Sequence, residues 1–92
     1  MSKVRLQATI SGRVQGVSFR YYTQRTALSL GLTGWVRNES NGDVRLVAEG
    51  ERGKLEELLE FVHQGPSYAR VSGVQFVWGE ATGEFGRFQI IH

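Results

Sequence analysis

The chain has 92 residues and a formal net charge of only +2, which predicts one small domain over residues 1–92. Its 40% hydrophobic and 22% charged residues are typical of a globular protein and exclude a disordered one. It contains no cysteine, so a disulfide framework, a thiolate nucleophile and a thiolate metal ligand are excluded as well.

We expect a cytoplasmic protein without a membrane segment. No apolar signal segment precedes the first strand pattern, and no apolar run approaches the roughly 18 residues that indicate a membrane span. The mildly basic balance fits a small anionic ligand about as well as it fits weak nucleic-acid binding. Charge alone therefore leaves both classes open.

The first two predicted elements are a strand and a helix. Residues 4–10 alternate apolar and polar side chains, which predicts a strand with one buried face. A three-to-four spacing predicts a helix over residues 19–30, and its expected buried stripe consists of Phe19, Tyr22, Thr23, Thr26, Ala27 and Leu30. Between these two elements lies a loop with glycines at positions 12 and 16.

The middle of the chain predicts a hairpin followed by a second helix. Residues 32–39 and 44–49 read as strands, and Asn41-Gly42 between them is a strong hairpin signal because both residues tolerate positive φ. We expect the second helix to open at Gly50-Glu51 and to end near Val62. Its apolar stripe consists of Leu55, Leu58, Leu59 and Val62.

The last third predicts two more strands, over residues 71–78 and 85–91, with a turn over 79–83. The order is β-α-β-β-α-β with one short extra C-terminal strand, which predicts an α+β, ferredoxin-like split βαβ sandwich. We expect an antiparallel sheet with strands one and three in the middle and both helices on one face. The large aromatic side chains are expected to pack in the core or on a sheet face; they are Trp35, Phe76, Trp78 and Phe88.

The loop from Gly12 to Arg20 is the strongest candidate for a site. Its glycines allow a tight turn and close approach of a ligand, and the helix N-terminus that follows presents unpaired N–H groups to an anion. Arg20 adds a cation where the helix dipole disfavours one by roughly 0.3–1 kcal/mol, and such local conflicts tend to be functional. The alternative is an ordinary strand-to-helix turn with an exposed arginine. The spacing fits neither a Walker A loop nor a dinucleotide fingerprint.

The chain closely resembles the acylphosphatase family over essentially its whole length. The residues that carry the resemblance are Gly12-Arg13-Val14-Gln15-Gly16-Val17-Ser18-Phe19-Arg20, Gly34-Trp35-Val36-Arg37-Asn38, Asn41-Gly42-Asp43-Val44, Gly65-Pro66, Ala69, Val71 and Phe88-Gln89-Ile90. The resemblance implies hydrolysis of acyl phosphates, which are mixed carboxylic-phosphoric anhydrides, without a metal or a cofactor. It implies an acyl phosphate as substrate and inorganic phosphate as product. We expect phosphate to inhibit as well, because the same loop must release it, and we expect a monomer without a nucleic-acid partner.

The resemblance also implies roles for individual residues. Arg20 would bind the phosphate, and Asn38 would position the attacking water. The loop would offer backbone N–H groups to phosphate oxygens from Gln15, Gly16, Val17, Ser18 and Phe19. Without the resemblance, Asn38 reads more simply as an asparagine that satisfies hairpin backbone groups. The sequence leaves open whether Asn38 reaches the loop.

The chemistry fits these residue types. Phosphoryl transfer needs mainly positioning and charge stabilisation, which backbone amides and a guanidinium supply, while a carboxamide holds water by donating and accepting. No general base is obvious, because the histidines are His63 at a helix end and His92 at the chain end. We therefore expect the substrate phosphate or bulk water to take the proton.

Two other function classes remain open from the sequence. RNA-recognition modules share the fold, and residues 83–88 faintly resemble their aromatic segment, although that segment belongs on the third strand. A domain that binds an anion without turning it over would share the same loop. Hydrolysis of a model aryl acyl phosphate separates these classes.

Overall fold

The computed structural model describes residues 2–92. Its elements are β1 (Lys3–Arg13), α1 (Phe19–Ser29), β2 (Thr33–Asn38), β3 (Val44–Glu51), α2 (Arg52–Gln64), β4 (Arg70–Glu80) and β5 (Phe88–Ile90). Every predicted element is therefore present and of the predicted type. Within the described range, neither helix is long and apolar enough to cross a membrane.

The five strands form one sheet in the order β4-β1-β3-β2-β5. The first four strands pair antiparallel, with β1 and β3 in the interior as predicted. The short β5 pairs with β2 in the parallel direction, so the expectation of an antiparallel sheet holds for four strands and the complete sheet is mixed. With both helices packed on one apolar face, the predicted ferredoxin-like α+β fold is confirmed.

The core lies between that face and the helices. Alternation along β1 buries Leu6, Ala8 and Ile10, which join apolar side chains of both helices in one cluster. The buried face of α1 consists of Phe19, Thr23 and Ala27. The expectation that Tyr22 is buried is wrong, because its side chain is 43% exposed. A helix turns about 100° per residue, so Tyr22 lies about 100° from Thr23 and outside the face that the sheet covers.

The ends of several elements differ from the prediction. Gly50 and Glu51 belong to β3 rather than to the second helix, because they pair with Val4 and Lys3 of β1. β4 continues to Glu80 through part of the predicted turn, and β5 is shorter than the predicted strand over 85–91. Among the aromatic residues, Phe88 is buried as expected, whereas Phe76 on the edge strand β4 is 42% exposed.

The crossing segment, residues 81–87, carries the chain from β4 at one edge of the sheet to β5 at the other. It is held by the carboxylate of Glu49, whose side chain is buried on β3. Glu49 accepts hydrogen bonds from the N–H groups of Thr82 at 2.9 Å and Gly83 at 3.0 Å. It also pairs with the guanidinium of Arg5, with Nε 2.7 Å from Oε2. Burial alone would raise the pKa of Glu49. These hydrogen bonds and one from the Thr82 hydroxyl outweigh that effect and lower the pKa from 4.5 to about 2.

Glu49 is therefore expected to stabilise the fold in a pH-dependent way. Because its pKa lies below the usual 4.5, the contribution is complete above about pH 4.5 and is lost as the pH falls towards 2. Glu49→Gln should lower the free energy of unfolding at pH 7 by about 3 kcal/mol, measured by urea denaturation. Glu57→Gln on the exposed face of α2 is the control. A loss at pH 7 no larger than that of the control would contradict this account.

Candidate active site

The loop between β1 and α1 curls sharply at Gly16 and Ser18. Their φ angles are +73° and +62°, both in the left-handed region. Ser18 is the N-cap residue of α1, and its side chain makes no capping hydrogen bond. A residue with a Cβ in this region costs roughly 1–2 kcal/mol, so the chain accepts strain to shape the loop. A Cβ added at Gly16 would meet open space, which leaves the loop backbone accessible from that side.

The curl leaves a row of backbone donors without partners. None of the N–H groups from Gln15 to Tyr21 donates a hydrogen bond to an acceptor within residues 2–92. The first donor with a partner is the Tyr22 N–H, which lies 3.2 Å from the carbonyl oxygen of Ser18. Unpaired N–H groups at a helix N-terminus, together with the helix dipole, form a binding site for an anion.

Arg20 adds a full positive charge to this helix end. The first turn of α1 carries no acidic side chain, and no carboxylate in the described part of the chain forms an ion pair with Arg20. Its guanidinium contacts the ring of His92, whose Nδ1 lies 3.4 Å from Arg20 Nη1. The guanidinium is therefore available to an anion, which it binds through a planar, bidentate fork.

Asn38 is the last residue of β2 and pairs with Val44 of β3. Its Oδ1 atom is buried and has no hydrogen-bond partner among the described residues. The adjoining turn is closed by its own backbone groups, because the Glu39 N–H donates to the carbonyl oxygen of Asp43 at 2.7 Å. Within that turn, Gly42 alone has a positive φ. The simpler interpretation of Asn38, as a partner for hairpin backbone groups, is therefore not observed. A buried acceptor without a donor is unusual, and it shows that the Asn38 carboxamide is not committed to the hydrogen bonds of the fold.

The structure brings Arg20 and Asn38 together with loop residues Gly16, Ser18 and Phe19 around one cleft of about 370 Å³. Asn38 thus reaches the loop, which the sequence had left open. The cleft offers unpaired amide donors, a guanidinium and a carboxamide at a single place. This set can bind a tetrahedral oxyanion and hold a water molecule beside it.

Two residues of the predicted loop set contribute differently. Val17 is half-buried and lines a neighbouring cleft instead. The side chain of Gln15 ties the loop to the β2–β3 turn, because its Nε2 donates to the carbonyl oxygens of Glu39 at 2.8 Å and Asp43 at 2.9 Å. Sequence reasoning assigned Gln15 only a backbone role. No local pattern reveals this tether, since its two acceptors lie 24 and 28 residues away.

We expect the Gln15 tether to be needed for anion binding. Gln15→Ala removes two hydrogen bonds, at a cost of about 1–3 kcal/mol in total, and frees the loop from the turn that follows Asn38. The affinity for inorganic phosphate, measured by titration calorimetry, should fall roughly tenfold. Gln75→Ala on the exposed edge strand is the control. Unchanged phosphate affinity in a destabilised Gln15→Ala protein would limit the tether to a structural role.

The segment behind the RNA-binding alternative does not form an aromatic platform. Phe88 is only 1% exposed, and the ring of Phe85 lies beneath the guanidinium of Arg5, 5.2 Å from Cζ to the ring centroid. With Phe88 buried and Arg5 over Phe85, the segment does not present the set of exposed aromatic rings that stack two or three bases in that alternative. No group of three or more potential metal ligands of the His, Cys, Asp and Glu types is found within residues 2–92.

The chain is similar to known proteins along almost its whole length. The acylphosphatase family model matches residues 6–90. An acylphosphatase of Salinibacter ruber is 54% identical over 86 residues, which are 94% of this chain and 90% of that protein. An acylphosphatase of Pelotomaculum thermopropionicum is 49% identical over 90 residues, 98% of each chain. The crystal structure of acylphosphatase from Bacillus subtilis matches with a TM-score of 0.93 at 32% identity, covering 97% of this chain and 99% of that one.

Proposed function

Because the chain belongs to the acylphosphatase family and hydrolyses acyl phosphates, we propose that Arg20 and the loop N–H groups bind the substrate phosphate while Asn38 positions the attacking water. One observation carries this assignment. Unpartnered backbone donors, a guanidinium without a carboxylate partner and a buried amide oxygen without a donor meet around a single cleft. The amides and the guanidinium lack the acceptors that a phosphate would supply, and Asn38 brings an uncommitted carboxamide to the same cleft.

The reaction is an in-line displacement at phosphorus. The oxygen of the water held by Asn38 attacks phosphorus on the face opposite the acyl oxygen. As that bond forms, the bond between phosphorus and the acyl oxygen breaks, and its electron pair stays on the oxygen to give a carboxylate. The loop amides and Arg20 stabilise the charge on the phosphoryl oxygens without having to reorganise.

We propose that the proton released by the water goes to the phosphate or to bulk water. The titratable groups beside the reacting atoms are Arg20, Tyr21 and His92, and the first is already committed to the phosphate. We therefore expect kcat/KM to stay nearly flat across mildly acidic to mildly basic pH. Steady-state rates measured across that range test this expectation. A bell-shaped profile with an enzyme pKa near neutrality would contradict it and would direct attention to His92.

Hydrolysis of benzoyl phosphate, a model aryl acyl phosphate, tests the proposed function. We expect benzoate and inorganic phosphate in equal amounts, competitive inhibition by inorganic phosphate, and the same rate with and without a chelator. The last expectation rests on the guanidinium and amides as the source of positive charge. Phosphate binding without turnover would indicate a silent anion-binding domain, and loss of activity with a chelator would contradict metal independence.

We also propose that residues 1–92 act as a single domain, as a monomer in the cytoplasm, without a nucleic-acid or membrane partner. The match of one family model to residues 6–90 supports the single domain. The small net charge of +2 supports a small anionic ligand over a polyanion, since backbone binding to nucleic acid needs many cations on one surface.

A further inference from the structure

A second cleft adjoins the phosphate loop on the side of α2. It also has a volume of about 370 Å³, and Ser18 is the one residue that lines both clefts. Its larger lining side chains are those of Val17, Tyr22, Phe61 of α2 and Tyr68. None of the described residues that line it is charged. Its size and apolar, aromatic lining fit an organic group rather than a second phosphate.

The two tyrosine side chains of this cleft are exposed and can contact a ligand. Tyr68 is 82% exposed and Tyr22 is 43% exposed. Tyr68 sits in a tight turn that the Ala69 N–H closes on the Pro66 oxygen at 3.0 Å, so its backbone is fixed while its ring projects. Phe61 is held from below by the buried Phe19, with ring centroids 6.4 Å apart. Two exposed rings over a fixed apolar floor supply contact area at a small cost in side-chain entropy.

The geometry of the reaction connects the two clefts. In-line displacement places the leaving oxygen opposite the attacking water. The water lies at Asn38, which lines the phosphate cleft but not the second one. The second cleft shares Ser18 with the phosphate cleft and is lined by Phe61 of α2, whereas Asn38 belongs to β2. A leaving group that points away from Asn38 therefore extends over the exposed Ser18 towards Tyr22 and Tyr68.

We infer that this second cleft binds the acyl group of the substrate, and that the chain prefers acyl phosphates whose acyl group is apolar and of the size of an aromatic ring. The inference rests on the proposed function and adds to it the class of substrate. An acetyl group offers only a methyl group for contact with the tyrosines, whereas a benzoyl group offers a whole aromatic ring. Selectivity between the two substrates therefore reports on the cleft.

The test compares kcat/KM for benzoyl phosphate with kcat/KM for acetyl phosphate in each variant. Tyr68→Ala and Tyr22→Ala should each lower this ratio about three- to tenfold, because each removes one aromatic contact to the ring. Tyr68→Phe should keep the ratio of the wild type, since the ring remains. Phe76→Ala, another exposed aromatic residue on β4, is the matched control and should leave the ratio unchanged.

The possible results separate the inference from the function on which it rests. A ratio unchanged in both alanine variants, with acyl phosphates still hydrolysed, would overturn the acyl subsite and leave the proposed function intact. If Phe76→Ala lowers the ratio as much as the tyrosine variants do, the acyl subsite would also be overturned, because the selectivity would not depend on the second cleft. A wild type that hydrolyses neither substrate would overturn the proposed function and this inference with it.

Discussion

Replacing Arg20 by alanine is expected to lower kcat/KM for acyl phosphate hydrolysis by about 10²–10³-fold, the loss typical of one preorganised donor to a developing charge. The structure gives the reason: Arg20 has no carboxylate partner in the described chain and faces the same cleft as the unpaired loop amides. The inhibition constant of inorganic phosphate should rise in parallel, because ground state and transition state both carry the phosphoryl oxygens that the guanidinium contacts.

Arg20→Lys tests whether charge alone is enough. A lysine ammonium keeps the positive charge but lacks the planar fork that binds two phosphate oxygens at once, so we expect little rescue. Arg13→Ala is a suitable control, since it removes the same charge from an exposed position at the end of β1. Full activity of Arg20→Lys would contradict bidentate binding. An equal loss of kcat/KM in Arg13→Ala would indicate that the overall positive potential near the site matters rather than a direct contact of Arg20 with the phosphate.

Replacing Asn38 by alanine is expected to separate binding from turnover. The variant loses the amide that we propose to hold the water, and kcat should fall by about 10²-fold, the effect of a misplaced reactant. The loop and Arg20 stay in place, so the inhibition constant of inorganic phosphate should remain close to that of the wild type. Steady-state kinetics with phosphate as inhibitor measure both quantities. Removing a buried acceptor that lacks a donor should also leave the protein at least as stable.

Asn41→Ala is the matched control for Asn38, because Asn41 is the other asparagine of the chain and lies in the same hairpin. Its Oδ1 accepts from the Asp43 N–H at 3.0 Å, so the control tests the turn rather than the water. If phosphate affinity collapses together with turnover in Asn38→Ala, the residue binds the ligand or supports the loop. Its assignment as the water-positioning group would then be wrong.

The local features of the fold were predictable where periodicity is strong. Alternation along β1 and the stripe of α2 identify the buried side chains directly, because burial and side-chain direction follow the same repeat. The prediction failed where pairing with a strand distant in sequence determines the secondary structure. Gly50 and Glu51 read as a helix start from their composition, but pairing with β1 draws them into β3. The parallel direction of β5 likewise depends on a chain segment that crosses from one edge of the sheet to the other.

The sequence predicted residues that line the candidate site, but not the hydrogen bonds that hold the surrounding segments in place. The motif predicts Arg20 and Asn38 as the residues that we propose to bind the phosphate and to position the water, and both line one cleft. The tether through Gln15 and the clamp of Glu49 on the crossing segment were not foreseen. Both join residues more than 20 positions apart through side-chain hydrogen bonds, and no repeat in the sequence encodes such contacts.

An NMR titration with inorganic phosphate tests most directly whether the loop amides and Arg20 converge on one phosphate. The amide proton signals of Gly16 to Tyr21 should move downfield and saturate together with the Arg20 side-chain signal. The midpoint of the titration should equal the inhibition constant of phosphate for hydrolysis. Loop amide signals that stay unchanged while phosphate inhibits the reaction would contradict the account.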